Sequence, residues 1–184
     1  MCQLCKTKPV YEFTNKRKLC ARCFIRYFQK KVLYTIRKFN MINKNDIIGY
    51  EKSKDFRSVV LEDILKLFAK RWMIEVVKIS SSKTRKSPDK IAISLTIDLE
   101  AHKIINTLIK ENVNNIKGIT PIDKKIIKPL YLFLDKEILL YAKLRKLKFV
   151  KEKQTQDKIE KFVNMLEKTH PEVKRAIVNS YLEL

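Results

Sequence analysis

Only two glycines occur in the 184 residues, Gly49 and Gly118, and they lie far apart. Walker A and dinucleotide phosphate loops need several glycines in one short turn, so that backbone amides can close on a pyrophosphate. Both are excluded. Histidine is as scarce: His102 and His170 are well separated, so no histidine-based triad or metal cluster is expected and surface or capping roles are. No segment reaches the ~18 or more uncharged apolar residues of a membrane span, and the opening MCQLCKTK lacks the apolar stretch of a secretory signal. A cytosolic or nuclear protein is expected, and no membrane partner. Acidic residues are also few, 20 Asp and Glu against 41 Lys and Arg, for a formal charge of +21. Ordinary small-molecule metabolism does not need that much uncompensated charge, and the implied partner is a polyanion. With 45% hydrophobic and 33% charged residues, the chain can bury a core and is no disordered tail.

Cysteine is confined to one end. Cys2, Cys5, Cys20 and Cys23 form two Cys-x-x-Cys pairs, and none follows Cys23. In a reducing compartment such clustering favours metal over disulfide. Each pair can put two thiolates on one side of a tight turn, and residues 6–19 between them can fold back to complete a tetrahedral four-sulfur shell around zinc. A redox Cys-x-x-Cys or simply buried thiols are the competing readings. A closed shell leaves no open position, so this zinc is expected to be structural.

After Cys23, the apolar residues Phe24, Phe28, Val32, Ile36 and Phe39 recur at three- or four-residue steps, which predicts an amphipathic helix of about five turns. Around that stripe the chain is basic. Lys16, Arg17, Lys18, Arg22, Arg26, Lys30, Lys31, Arg37 and Lys38 occur without a single intervening carboxylate. A ribbon and helix of this kind is expected to meet a phosphate backbone. A second basic cluster, Lys143, Arg145, Lys146, Lys148, Lys151 and Lys153, is broken only by Glu152 and reads equally as a nucleic-acid face or as a solvated one.

The middle reads as strand Asp46 to Tyr50, helix Phe56 to Ala69, strand Ile74 to Ile79, a mobile basic loop over residues 80–90, strand Ile91 to Leu95, and a helix over Asp98 to Lys110 capped by Asp98. That order is the one of an α/β unit with a parallel sheet. Helices are expected over Leu134 to Leu147, Gln156 to Lys168 and Pro171 to Leu182. Asp135 and Glu137 open the first of these, where acids complement the helix dipole. Asp98 and Glu100, two apart on a helix, are expected to be a cap and a solvated carboxylate and not an acid/base pair.

The succession CxxC, LCARCFIRYFQKKVLYTI, SLTIDLEA, KPLYLFLDKEILLYAKL and LEKTHPEVKRAIV resembles the tRNA 2-thiolation proteins of the PP-loop superfamily, and covers most of the chain. That family comprises a catalytic thiouridylase and, in eukaryotes, a degenerate partner subunit. The resemblance implies a PP-loop α/β fold (adenine nucleotide alpha hydrolase-like), trimmed because the chain is short, behind an N-terminal zinc ribbon and basic helix. It also implies two domains, residues 1–40 and 41–184.

Three losses separate this chain from active members. Where the family has a Ser-Gly-Gly-Lys-Asp-Ser turn after the first strand, Glu51, Lys52, Ser53, Lys54, Asp55 and Phe56 stand here, with neither glycine and with an acid where phosphate should bind. The second ATP motif, Gly-His-Asn-Leu-Asp-Asp-Glu-Ala, becomes Ser94, Leu95, Thr96, Ile97, Asp98, Leu99, Glu100 and Ala101, without the histidine and one aspartate. Sulfur transfer in active members resembles persulfide chemistry on catalytic-domain cysteines, and no cysteine remains there. The chain is therefore similar to the cytoplasmic tRNA 2-thiolation protein 2 family. The resemblance implies tRNA, a catalytic paralogue and, indirectly, a ubiquitin-like sulfur carrier as partners, with zinc but not ATP as cofactor and no catalytic residue. A residual adenylating sulfurtransferase with a changed loop and a free-standing zinc-ribbon nucleic-acid binder are the alternatives.

Overall fold

The amino end folds around its cysteines. In a computed structural model that describes residues 1–79, 87–110, 118–150 and 157–183, strands β1 (Tyr11–Glu12) and β2 (Lys18–Leu19) pair antiparallel. They lead directly into α1 (Ala21–Lys38). Helix α1 buries Phe24, Phe28, Val32 and Ile36, the stripe its periodicity predicts. Phe28 stacks on Tyr141 with ring centroids 4.2 Å apart and tilts against Phe133 at 4.3 Å. Removing so buried a ring should cost ~3–5 kcal/mol.

The central sheet is built from β3 (Ile47–Glu51), β4 (Glu75–Ile79), β5 (Lys90–Ala92), β6 (Ile122–Asp123) and β7 (Ile126–Ile127). Its order is β4-β3-β5-β7-β6, parallel except for the β6–β7 hairpin at one edge. The α/β class and mostly parallel sheet expected from the strand and helix order are therefore found. Crossing from β3 to β4 is α2 (Phe56–Trp72), started by Asp55, whose carboxylate accepts the amides of Arg57 and Ser58, and ended by Met73 at φ 51. Gly49 is needed at the centre of β3: a Cβ there would lie 2.7 Å from Ile79 Cδ1 and 3.0 Å from Pro88. Of the predicted 80–90 loop, residues 80–86 lie outside the described residues; Asp89 binds β3, its Oδ2 accepting the amide of Ile47 at 2.8 Å.

Four more helices complete the described chain: α3 (Ile97–Ile109), α4 (Asp135–Leu144), α5 (Lys158–Thr169) and α6 (Val173–Leu182). The main core is continuous across residue 40, joining Leu19, Phe24 and Phe28 to Ile48, Val60, Ile64 and Tyr141. A second core lies among Ile97, Ala101, Ile104, Tyr131, Leu134 and Val178. Within it Glu100 and Lys128 form a salt bridge at 2.5 Å, both side chains almost wholly buried. Burial pushes the Glu100 carboxyl up and the Lys128 amine down, each against the pull of its partner. Glu100 is thus no solvated carboxylate. None of the described helices is long and apolar enough to cross a membrane.

Candidate functional site

The four cysteines converge. Cys2 starts a tight turn in which its carbonyl accepts the amide of Lys6 at 2.9 Å, with Lys6 in the left-handed region at φ 59. Cys20 caps the N-terminus of α1 and Cys23 lies in its first turn, so the hairpin brings the second pair beside the first. The four sulfurs all lie within 4.8 Å of one another. Cys5 Sγ is 3.3 Å from Cys20 Sγ and 3.6 Å from Cys23 Sγ. A single tetrahedral ion with metal–sulfur bonds of ~2.3 Å would set its ligands about 3.8 Å apart, so the donor set fits one ion. A four-iron cubane spreads its cysteines much further. Hydrogen bonding from Thr7 and the Cys23 backbone brings the Cys20 thiol down to about 6. Burial and three neighbouring sulfurs push Cys23 up to about 12. A cation bound by all four would favour their thiolate forms together.

Beside this cluster the basic residues divide. Lys18 pairs with Glu12 at 3.2 Å. Lys31 turns inward, 3.4 Å from the buried Glu137 and 4.5 Å above the Phe133 ring, and burial pushes its amine down to about 8. Arg17 lies over the rings of Phe13 and Tyr27 at 5.8 and 5.9 Å. Lys16, Arg22, Arg26, Lys30, Arg37 and Lys38 are exposed, and among the described residues none of them has a carboxylate at ion-pair distance. Of the second basic cluster, Lys143, Arg145, Lys146 and Lys148 are described and Lys151 and Lys153 lie outside the described residues; Arg145 is paired with Asp63 at 3.0 Å.

The third place of interest is where the carboxyl ends of β3 and β5 meet, the crevice in which open α/β sheets bind ligands. Here side chains bond across it. Ser58 Oγ lies 3.2 Å from Ser94 Oγ, joining the start of α2 to the loop after β5. Arg57 makes a two-pronged ion pair with Asp135, which also accepts the Thr96 hydroxyl at 2.9 Å. The amide of Asp135 donates to Asp98, and Asp98 in turn holds Lys174 of α6 at 2.5 Å. Glu51, Lys52, Ser53 and Lys54 are exposed, and Lys54 gives its carbonyl to the amide of Val150 at 2.8 Å. The expectation that Asp98 caps α3 is corrected: Thr96 is the cap, its backbone still extended at φ −128, because the chain leaves β5 after Ala92 and runs four residues further before turning.

No family model matches this chain, and no curated protein matches it either. Among solved structures it superposes on the U34-tRNA thiolase NcsA from Methanococcus maripaludis, described with its [4Fe-4S] cluster, at a TM-score of 0.77 and 19% identity. The match spans 99% of this chain and 86% of that one. The two share a fold.

Sequence reasoning missed Glu137, Arg57 and Asp135 as members of a network. Glu137 accepts the amide of Leu134 at 3.0 Å and pairs with Lys31 and, at 3.2 Å, with Arg175, tying α1, α4 and α6 together. The available signal for Lys31 was its place three residues after Phe28 and next to Val32, on the border of the apolar stripe. His102 pairs with Asp157 at 2.9 Å and His170 ends α5.

Proposed function

We propose that the chain is a non-catalytic subunit of a system that 2-thiolates the wobble uridine (U34) of tRNA in the cytoplasm. In this reading it binds tRNA through the exposed cations of the ribbon and α1, and pairs with a catalytic thiouridylase paralogue that draws sulfur from a ubiquitin-like carrier. The observation that carries the reading is the bonding across the crevice: in a fold shared with a tRNA thiolase, Ser58 bonds Ser94, and Asp135 holds Arg57 and Thr96, at the carboxyl ends of β3 and β5. The loop from Glu51 to Phe56 supports it, since without glycine it lacks the turn that aims amides at phosphate.

One structural zinc held by Cys2, Cys5, Cys20 and Cys23 belongs to this reading, supported by sulfur separations suited to one ion. It would organise residues 1–40 as a tRNA-facing unit ahead of residues 41–184. A residual adenylating enzyme is the second reading, favoured by Lys54 and Asp55, which keep the Lys-Asp order of the family turn; against it, the Asp55 carboxylate is engaged in capping α2.

Co-expression with a paralogue that retains the glycine loop tests the proposal. A stable complex that thiolates tRNA better than the paralogue alone is expected, together with no heat on titrating ATP and magnesium into the purified chain. A clear micromolar ATP isotherm would instead establish the residual enzyme, and failure to associate with any such paralogue would leave a free-standing nucleic-acid binder.

A further inference from the structure

Two grooves run along the exposed side of α1 and share a wall. The first, of about 530 Å³, is bounded by Leu4, Arg22, Arg26, Tyr27, Lys30 and Tyr34 beside the Cys5 and Cys23 sulfurs. The second, of about 570 Å³, is bounded by Lys30, Leu33, Tyr34, Arg37, Lys38 and, from α2, Arg71. Both fall in the ~300–1,000 Å³ range of sites that enclose small ligands. Tyr34 and Lys30 belong to both.

Spacing explains why. Arg22, Arg26, Lys30, Tyr34 and Lys38 follow one another at four-residue steps, so they form one ridge with a rise of about 6 Å from each to the next. Four of the five are cations. The fourth position is an aromatic ring, 56% exposed, where continued charge would have given a plain electrostatic stripe. Across the first groove Leu4 is also exposed, at 62%. An exposed ring flanked by cations on both sides matches the combination that binds unpaired nucleotides: charge follows the backbone and the ring takes the face of a base. A duplex offers no such face, because its bases are stacked on each other.

The geometry points to an unpaired RNA segment as the occupant of these grooves, with one base stacked on Tyr34 and its flanking phosphates on Arg26, Lys30, Arg37 and Lys38. This rests on the tRNA-binding reading and deepens it: the ribbon and α1 take a single-stranded part of the RNA and not its helical arms. The ring of Tyr27, half-buried and lying under Arg17, forms the floor of the first groove and does not replace Tyr34 as the platform.

Fluorescence anisotropy of the full chain with a labelled twelve-nucleotide unstructured RNA, and with an RNA duplex of equal charge, tests this at several salt concentrations. Tyr34→Ala should weaken single-strand binding about 5- to 150-fold, the equivalent of the ~1–3 kcal/mol per stacked base, with the salt slope unchanged. Tyr34→Phe should bind as the parent does. Duplex binding should be weaker than single-strand binding and indifferent to Tyr34. Equal loss on both RNAs, or no loss for Tyr34→Ala while Arg22→Ala, Arg26→Ala and Lys30→Ala together abolish binding, would overturn the stacking and leave a backbone-only site, with Tyr34 free to dock protein. Unchanged binding by the triple variant would instead refute the underlying RNA-binding face. Because Tyr34 is exposed, Tyr34→Ala should fold normally, and an unchanged urea midpoint verifies that.

Discussion

The charge on α1 makes a prediction whose size follows from the structure. Arg22, Arg26 and Lys30 stand on one ridge and have no carboxylate at ion-pair distance among the described residues, so each is available to displace one condensed counterion from an RNA backbone. Every such contact contributes about 0.7 to the slope of log affinity against log salt for a single strand, and about 0.9 for a duplex. Replacing all three by alanine should therefore flatten the slope by about 2 to 3 units. Between 50 and 200 mM salt, a change of about 0.6 in log concentration, the parent should lose roughly 20- to 40-fold more affinity than the triple variant does. Filter binding or anisotropy with bulk tRNA over that range measures both quantities. Helical structure should persist, since alanine has the highest helix propensity and none of the three side chains is buried. If the slope is unchanged and the affinities agree within error at moderate salt, this ridge is merely solvated, and Lys143, Lys146 and Lys148 become the better candidates.

Three further outcomes are expected. Elemental analysis of the purified chain should find one zinc per molecule and no iron, and dialysis against mild acid or a chelator should release it, because protons compete for four thiolates; hydrogen exchange should then report opening of residues 1–23. Lys31→Met should leave the RNA salt slope alone, unlike Lys30→Ala, since the Lys31 amine is held by Glu137. Its folded value of about 8 lies below the ordinary lysine range, so between about 8 and 10.4 the unfolded chain binds more protons and stability should rise with pH; the variant should lack that rise in urea midpoints. Lys128→Met should destabilise by ~3–5 kcal/mol by stranding Glu100 in the core, and Lys128→Met with Glu100→Leu should recover most of the loss. A double variant as unstable as the single one would show that the pair is not the cause.

Where one element announces itself by its own period, the sequence was readable. The α1 stripe, α2, and the strands Ile47–Glu51 and Glu75–Ile79 all fall close to where periodicity and apolar runs put them, because burial of one face is a local pattern. The strands of β1–β2, though residues 6–19 were expected to fold back, and the β6–β7 hairpin were not anticipated: strands of two residues are too short to display alternation. The cysteine cluster was legible because paired spacing is itself the geometric constraint. The bonding across the crevice was not. Arg57 meets Asp135 and Ser58 meets Ser94 across long stretches of chain, and each of those residues, taken alone, is an ordinary polar residue of a helix start or a loop.

The bonds across the crevice and the exposure of the basic ridge both bear on how the chain uses its few carboxylates. With 20 acids against 41 bases, the fold places five of the acids at joints between its elements: Asp135 with Arg57, Asp98 with Lys174, Glu137 with Lys31 and Arg175, Glu100 with Lys128, and Asp63 with Arg145. An acid held between two helices cannot also screen a surface lysine. With these acids held in the joints around α2, α3, α4 and α6, the outer face of α1 has no carboxylate partner among the described residues. A ligand held in the crevice by Arg57, Thr96 or Asp98 would have to draw these groups from their partners. Such an exchange would free Asp135, which is partly buried, while Lys174 would keep Glu167 at 2.7 Å; an unpaired buried charge costs several kcal/mol. The joints that hold the helices in place thus oppose any rearrangement of the crevice and leave positive charge on the outer face of α1.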